Sequence, residues 1–330
     1  MHDLVIIGAG PCGLSAAIAG CRGAMNVVVL EKGALTNAIV GYPLHTNFYS
    51  TAPNLTIGGI PWPTTHPHPT RDDALAYYRA VVAHEGLKLN LYETAERIER
   101  QPDGTFVVHS TRRDGTAQTY STRAVVVASG SYDHPNRLLV PGGDSAHVHH
   151  YYTEGHPYYG QRVTVVGGGN SAAEAALDLF NHGAQVTLVH LFSDFDPRVK
   201  PWVLADVRSW IEAGQITIRW QSHITAITAD SVTLQTATGA ETFANDWVFA
   251  LIGYRPDTTL LQAAGVSVDD DAIPTHDSHT FETNVPGIFI AGVLAAGALP
   301  SKIFIENGRN HGPRIVQVLR ERWNSEEHRA

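Results

Sequence analysis

Hydrophobic positions along this chain gather into short unbroken runs: LVII at 4–7, VVVL at 27–30, AVVVA at 124–128, VTVV at 163–166, VTLV at 186–189, WVFAL at 247–251 and IFIA at 288–291. Runs of four or five with many β-branched residues predict strands buried on both faces, as in a parallel sheet. Five of the seven reach a glycine within two residues, so the chain is expected to turn where these strands end. The stretch between the first two runs, from Pro11, is rich in Ala and other small residues and predicts a helix. The same order recurs in "RVTVVGGGNSAAEAALDLFNHGAQVTLVH". Two strand–turn–helix–strand units predict an α/β fold with two Rossmann-like dinucleotide-binding domains.

The glycine spacing in the first unit carries chemistry. Gly8 permits a tight turn, Gly10 lets the backbone approach a pyrophosphate, and Gly13 lets helix and strand pack closely. Pro11 near the helix start gives up no needed N–H. The free N–H groups at the helix start then face the phosphates. Glu31 closes the following strand, eighteen positions beyond Gly13, where a carboxylate can accept ribose hydroxyls. The second unit repeats the spacing with Gly167, Gly169 and Ala172. Two such turns predict two dinucleotides, with a flavin on one, a nicotinamide on the other and hydride passing between them; the alternative is that one turn is vestigial.

Composition narrows the partners. The net charge of −9 over 330 residues argues against nucleic acid or an anionic membrane surface, both of which need a basic face. Two cysteines form no disulfide framework and fit a reducing compartment. The first strand-like residues begin at His2 and no apolar run approaches the ~20 residues of a membrane span, so a cytoplasmic protein is expected.

Further markers lie along the chain. "TRAVVVASGSY" and "DWVFALIGYRP" are strands running into turns, and "TNVPGIFIAGV" is a strand ending at Gly292. "SKIFIENGRNHGPRIVQVLRERW" predicts a helix, weakened by Gly308 and Gly312. Thr70 is expected to cap a helix from Arg71, with Asp73 completing a capping box. The histidines of "HVHH", His147, His149 and His150, have no companion cysteine and predict a solvated or substrate-facing loop rather than a metal site. Tyr77, Tyr78, Tyr151 and Tyr152 are expected to pack.

The order of these motifs resembles the thioredoxin reductase-like two-dinucleotide flavoproteins along nearly the whole chain. That resemblance implies an FAD domain formed by 1–132 and 248–330, with an NAD(P) domain inserted at 133–247. It implies FAD contacts at Gly8, Gly10, Pro11, Cys12, Gly13, Glu31, Lys32, Ala128, Ser129, Gly130, Gly292, Lys302 and Ile303. A helix after Lys302 would aim its N-terminus at the pyrimidine end of the flavin ring. NAD(P)H contacts are implied at Gly167, Gly169, Asn170, Ser171, Ala172, His190, Arg198 and Lys200.

The chain departs from thioredoxin reductases where their Cys-x-x-Cys would stand, because His150-Tyr151-Tyr152-Thr153 fills that position. The segments "GAGPCGL", "GYPLHTNFYSTAPNLTIGGIPW", "PTRDDALAYYR", "VVGGGNSAAEAALDLF" and "IAGVLAAG" resemble instead the bacillithiol disulfide reductase group of flavoproteins. That likeness implies reduction of a low-molecular-weight disulfide, a homo-oligomer, and Cys12 as the substrate-handling thiol. Alternatives that share the fold are a ferredoxin-type NADP reductase and a flavin redox sensor that does not turn over. The strand "AQVTLVH" ends at His190 without an acid for NADH or an arginine for NADPH; Arg198 and Lys200 follow, and NADPH is favoured by resemblance.

Cys12 poses the sharpest question. A helix N-terminus lowers a thiol pKa, a bound pyrophosphate opposes that shift, and a small residue of any kind would also fit the turn. Cys21 lies nine positions on, about 13 Å along the same helix, too far for a disulfide. It is expected to be a core thiol.

Overall fold

The computed structural model describes residues 1–299 and 302–328. The chain divides into two compact units, one of residues 1–41, 46–134 and 255–330 and the other of residues 42–45 and 135–254.

In the first unit, β1 (His2–Ile7), β2 (Val27–Glu31), β3 (Leu89–Leu91), β4 (Glu93–Arg100), β5 (Phe106–Arg112) and β6 (Ala117–Val127) form one sheet in the order β3-β2-β1-β6-β5-β4. The strand Ile288–Ile290 adds to β6 in parallel. Val5, Ile7, Val28, Leu30, Val125, Val127, Ile288 and Ile290 share one buried cluster, and the residues between them, Leu4, Ile6, Val29, Val126 and Phe289, are buried as well, which is why these runs are apolar without alternation. Register positions the site: Ile7 pairs with Leu30 and Val127, and Ile290 also pairs with Val127. The residues that follow, Gly8, Ala128 and the segment to Gly292, therefore leave from one edge of the sheet.

In the second unit, β7 (Val148–His149), β8 (Arg162–Val166), β9 (Gln185–Val189), β10 (Thr217–Arg219) and a later strand, Trp247–Ala250, form a parallel sheet. A separate antiparallel sheet holds β11 (His223–Ile227), β12 (Ser231–Thr236) and β13 (Gly239–Ala244). Trp247–Ala250, here β14, pairs with β8 and β7. That pairing moves the boundary expected at 247/248 to 254/255, since β14 belongs to the second sheet.

Three other expectations are corrected. The predicted C-terminal helix is two helices, Ile305–Gly308 and His311–Glu327, parted at Arg309 and Asn310. The chain from Lys302 to Phe304 is not helical; Asn307 accepts the Phe304 N–H at 2.8 Å and donates to the Lys302 carbonyl at 3.2 Å, which holds an extended entry. "HVHH" is not a solvated loop, because Val148–His149 is a strand paired to β14 and His150 is buried. Cys21 is exposed rather than in the core, on the helix face beside the Arg22–Glu85 ion pair. The capping box is present: the Asp73 N–H donates to Thr70 Oγ1 at 3.1 Å and the Thr70 N–H to Asp73 Oδ2 at 3.0 Å.

Candidate functional site

The first glycine turn joins β1 to the helix Pro11–Arg22. Gly8 sits at φ +108°, and a Cβ there would stand 2.4 Å from the Ala128 carbonyl oxygen. A Cβ on Gly13 would stand 2.0 Å from the Gly8 carbonyl oxygen. These two glycines are thus demanded by the protein's own backbone. Gly10 differs: at φ −74° and ψ 173° a Cβ would meet no protein atom within 4 Å. The cradle at Gly10 is open, and nothing in the protein itself requires a glycine there. That combination fits a ligand backbone-close to Gly10, as a dinucleotide pyrophosphate would be.

Glu31 is buried, and its two oxygens accept the Ala9 and Gly33 N–H groups, each at 2.8 Å. Burial raises its pKa, opposed by these two donors. The carboxylate is therefore fixed at the turn with lone pairs left for ribose hydroxyls. Lys32 pairs with Asp133 at 2.9 Å, and Gly130 adopts φ +75° with open space around it. Ser129 is exposed beside them. Lys302 is exposed, while Ile303 packs against the core cluster and against Gly308.

Around Cys12 the structure brings together residues far apart in sequence. A Cβ on Gly292, at φ +74°, would lie 3.0 Å from the Cys12 sulfur, and one on Gly308 would lie 2.9 Å from it. The sulfur is wedged between two glycines of the C-terminal segment. Burial pushes its pKa up to about 12. The balance that the sequence leaves open at this helix start is thus joined by a third effect, loss of hydration, which acts to raise the pKa. With Cys21 replaced by Ala, alkylation of Cys12 in the flavin-free protein is expected to stay slow at pH 7–8 and to rise about tenfold per pH unit above that. A rate that levels off below pH 8 would contradict this environment.

Two supports were not foreseen from the sequence. His311, buried and stacked on Phe281 at 4.0 Å, accepts the Gly292 N–H through Nδ1 at 3.3 Å. Ser15 donates to the Arg309 carbonyl at 2.6 Å, and Arg309 donates to the Thr56 carbonyl at 2.6 Å. These long-range pairs leave no local sequence pattern.

The second turn, between β8 and the helix Asn170–Asn181, reproduces the first. Gly167 sits at φ +139°, where a Cβ would stand 2.4 Å from the Leu251 carbonyl oxygen, and Ala172 takes the place of Gly13 in packing against it. Gly169, like Gly10, would offer a Cβ nothing within 4 Å. Ser171 is exposed at the helix start. The loop after β9 is sewn to this turn: the Asp196 N–H donates to the Gly168 carbonyl at 2.9 Å, the Lys200 N–H to Asn170 Oδ1 at 2.9 Å, and Asn170 Nδ2 to the Arg198 carbonyl at 3.2 Å. His190 lies flat against the turn, with ring atoms 2.2–2.5 Å from where a Gly168 Cβ would be. Gly167, Gly169, Asn170, Ala172, His190, Arg198 and Lys200 are therefore gathered at one place. Among the described residues no cluster suited to a metal ion is present, and no helix is long and apolar enough to cross a membrane.

Comparison with known proteins bears on this geometry. The family described as pyridine nucleotide-disulphide oxidoreductase matches residues 5–292. The chain is 40% identical over 322 residues to the bacilliredoxin reductase Bdr of Bacillus subtilis (strain 168), covering 97% of this chain and 98% of that one. It superposes on a structure titled bacillithiol disulfide reductase Bdr (YpdA) from Bacillus cereus with a TM-score of 0.95 at 41% identity, covering 97% of this chain and 99% of the other. The corresponding Staphylococcus aureus structure gives 0.92 at 38%, covering 97% and 98%.

Proposed function

The chain belongs to the pyridine nucleotide-disulphide oxidoreductase family, and from that premise we propose that it reduces a low-molecular-weight disulfide, bacillithiol disulfide, at the expense of NAD(P)H. The observation that carries this reading is the pair of turns built alike, each with its outer positions filled by protein and its middle glycine open. One dinucleotide for each turn supplies FAD to the first and NAD(P)H to the second. FAD held at the first turn, by Gly8, Gly10, Pro11, Gly13 and Glu31, would supply the two-electron chemistry that links NAD(P)H to the disulfide.

The chain's own residues set the rest. Gly8, Gly10, Pro11 and Gly13 shape the pyrophosphate cradle, Glu31 orients the ribose, and Gly292 and Gly308 form the wall that holds the Cys12 sulfur. In the proposed exchange, the Cys12 sulfur attacks one sulfur of the substrate, the S–S bond breaks, and the thiol proton leaves with the first product thiol. The resulting mixed disulfide takes up the electron pair and two protons, which frees the second thiol and restores Cys12. The sum is one NAD(P)H and one proton consumed per disulfide converted to two thiols.

Arg198 and Lys200, joined to the second turn through Asn170, support NADPH as the favoured donor. The two free cysteines fit a reducing compartment, so the reading places the enzyme in the cytoplasm; a homo-oligomer is part of the reading by family resemblance alone. The relatives at 40% and 41% identity favour a disulfide over ferredoxin as acceptor. NADPH oxidation by the yellow holoprotein is expected with bacillithiol disulfide and not with ferredoxin. Oxidation with ferredoxin alone, or with neither, would refute the reading.

A further inference from the structure

In a dinucleotide turn of this kind the residue closing the second strand reads the adenosine ribose: a carboxylate suits the 2′-hydroxyl of NADH, an arginine the 2′-phosphate of NADPH. Here that residue is His190, and its ring is committed to covering Gly168. The reading task passes to the next groups anchored at the turn. Asp196 is one, tied by its N–H to the Gly168 carbonyl at 2.9 Å. Arg198 is the other, tied by its carbonyl to Asn170 at 3.2 Å.

These two residues also hold each other. Arg198 Nε donates to Asp196 Oδ1 at 2.7 Å, its N–H donates to the same oxygen at 2.9 Å, and Nη2 pairs with Oδ2. The ion pair holds the Asp196 carboxyl below the usual carboxylate range. The side chains are 46% and 27% exposed, so the pair contributes little to stability and both groups reach solvent. A second acid in the loop, Asp194, is engaged elsewhere, with Arg208 at 2.7 Å.

We propose that Asp196 is the specificity-determining residue of the nicotinamide site, a carboxylate that restrains the preference for NADPH by opposing the 2′-phosphate that Arg198 attracts, and that accepts the 2′-hydroxyl of NADH. The inference rests on assigning the second turn to NAD(P)H. Its logic is that discrimination needs a repulsive element beside the attractive one, and charge decides which coenzyme meets which. Lys200, whose N–H is fixed to Asn170 Oδ1, adds positive charge on the same segment and is common to both variants below.

Binding of NADP⁺ and NAD⁺ to the FAD-loaded protein, measured by calorimetry, tests this without reference to any disulfide. Asp196→Asn keeps an oxygen for the Arg198 N–H and removes the charge, and is expected to raise the NADP⁺ preference, the ratio of Kd values, about tenfold. Arg198→Ala leaves the carboxylate uncompensated and is expected to lower the same ratio about tenfold. Being a ratio, the result is insensitive to a uniform loss of affinity. A ratio unchanged within twofold in Asp196→Asn overturns the proposal, even if Arg198→Ala lowers it, and so does a parent protein that binds neither nucleotide. Failure of the disulfide reading would show instead in the acceptor assay, with these ratios unaffected.

Discussion

Replacing Gly10 by Ala is expected to yield a folded protein that holds its flavin roughly ten- to hundredfold less tightly. The Ala methyl meets no protein atom within 4 Å and the backbone there, at φ −74°, is open to any L-residue. The fold therefore has no reason to respond. The bound dinucleotide does, because the methyl occupies the space into which the cradle opens; crowding of this kind costs about 1–3 kcal/mol, or roughly ten- to hundredfold in affinity. Gly13→Ala provides the contrast, since its methyl would stand 2.0 Å from the Gly8 carbonyl oxygen and must damage the fold itself. Gly169→Ala is expected to keep the yellow colour and weaken nicotinamide use. The ratio of flavin to protein absorbance, read beside the melting temperature, separates these outcomes. Gly10→Ala protein that binds FAD as tightly as the parent would mean that the cradle does not hold the pyrophosphate.

The turns were legible in the sequence because their constraints are local. Gly8, Gly13, Gly167 and Ala172 are fixed by contacts within one strand–turn–helix step and by the strand end beside it, so spacing alone reveals them. The unbroken apolar runs became the parallel strands of both sheets for the same reason: burial on both faces leaves no room for polar alternation. What the sequence did not reveal depends on residues far apart. The enclosure of Cys12 by Gly292 and Gly308 goes with a burial that raises the thiol pKa, and neither glycine is near Cys12 along the chain. Cys21 points the other way: small neighbours suggested burial, but the helix turns that face outward. The break at Arg309 and Asn310 falls between Gly308 and Gly312, the glycines that weaken this helix in the sequence, while the bond from Arg309 to the carbonyl of Thr56 left no local pattern. Asp196 escaped notice because its tie to Gly168 is through the backbone.

Cys12→Ala is expected to divide the catalytic cycle in two. Ala fits the turn, so flavin should remain and hydride transfer from NADPH should proceed in a rapid-mixing trace. Steady-state reduction of bacillithiol disulfide should fall by about two to three orders of magnitude, the scale on which removal of a covalent nucleophile is felt. Cys21→Ala should retain activity, since that thiol is exposed beside the Arg22–Glu85 pair on the helix, about 13 Å further along. The raised pKa of the Cys12 thiol, about 12, adds a condition: the resting sulfur is protonated, so exchange requires its proton to pass to the departing thiol. Turnover of the Ala variant at the parent rate would reduce Cys12 to a packing residue against Gly292 and Gly308.

The central claim is a two-electron path from NAD(P)H through flavin to a small disulfide, and its stoichiometry tests it most directly. In an anaerobic assay with limiting NADPH and excess bacillithiol disulfide, the holoprotein is expected to release two thiols for every NADPH oxidised, with no NADPH consumed beyond one equivalent per flavin when the disulfide is withheld. NADPH oxidised without thiol release, or no oxidation beyond the first reduction of the flavin, would contradict the account.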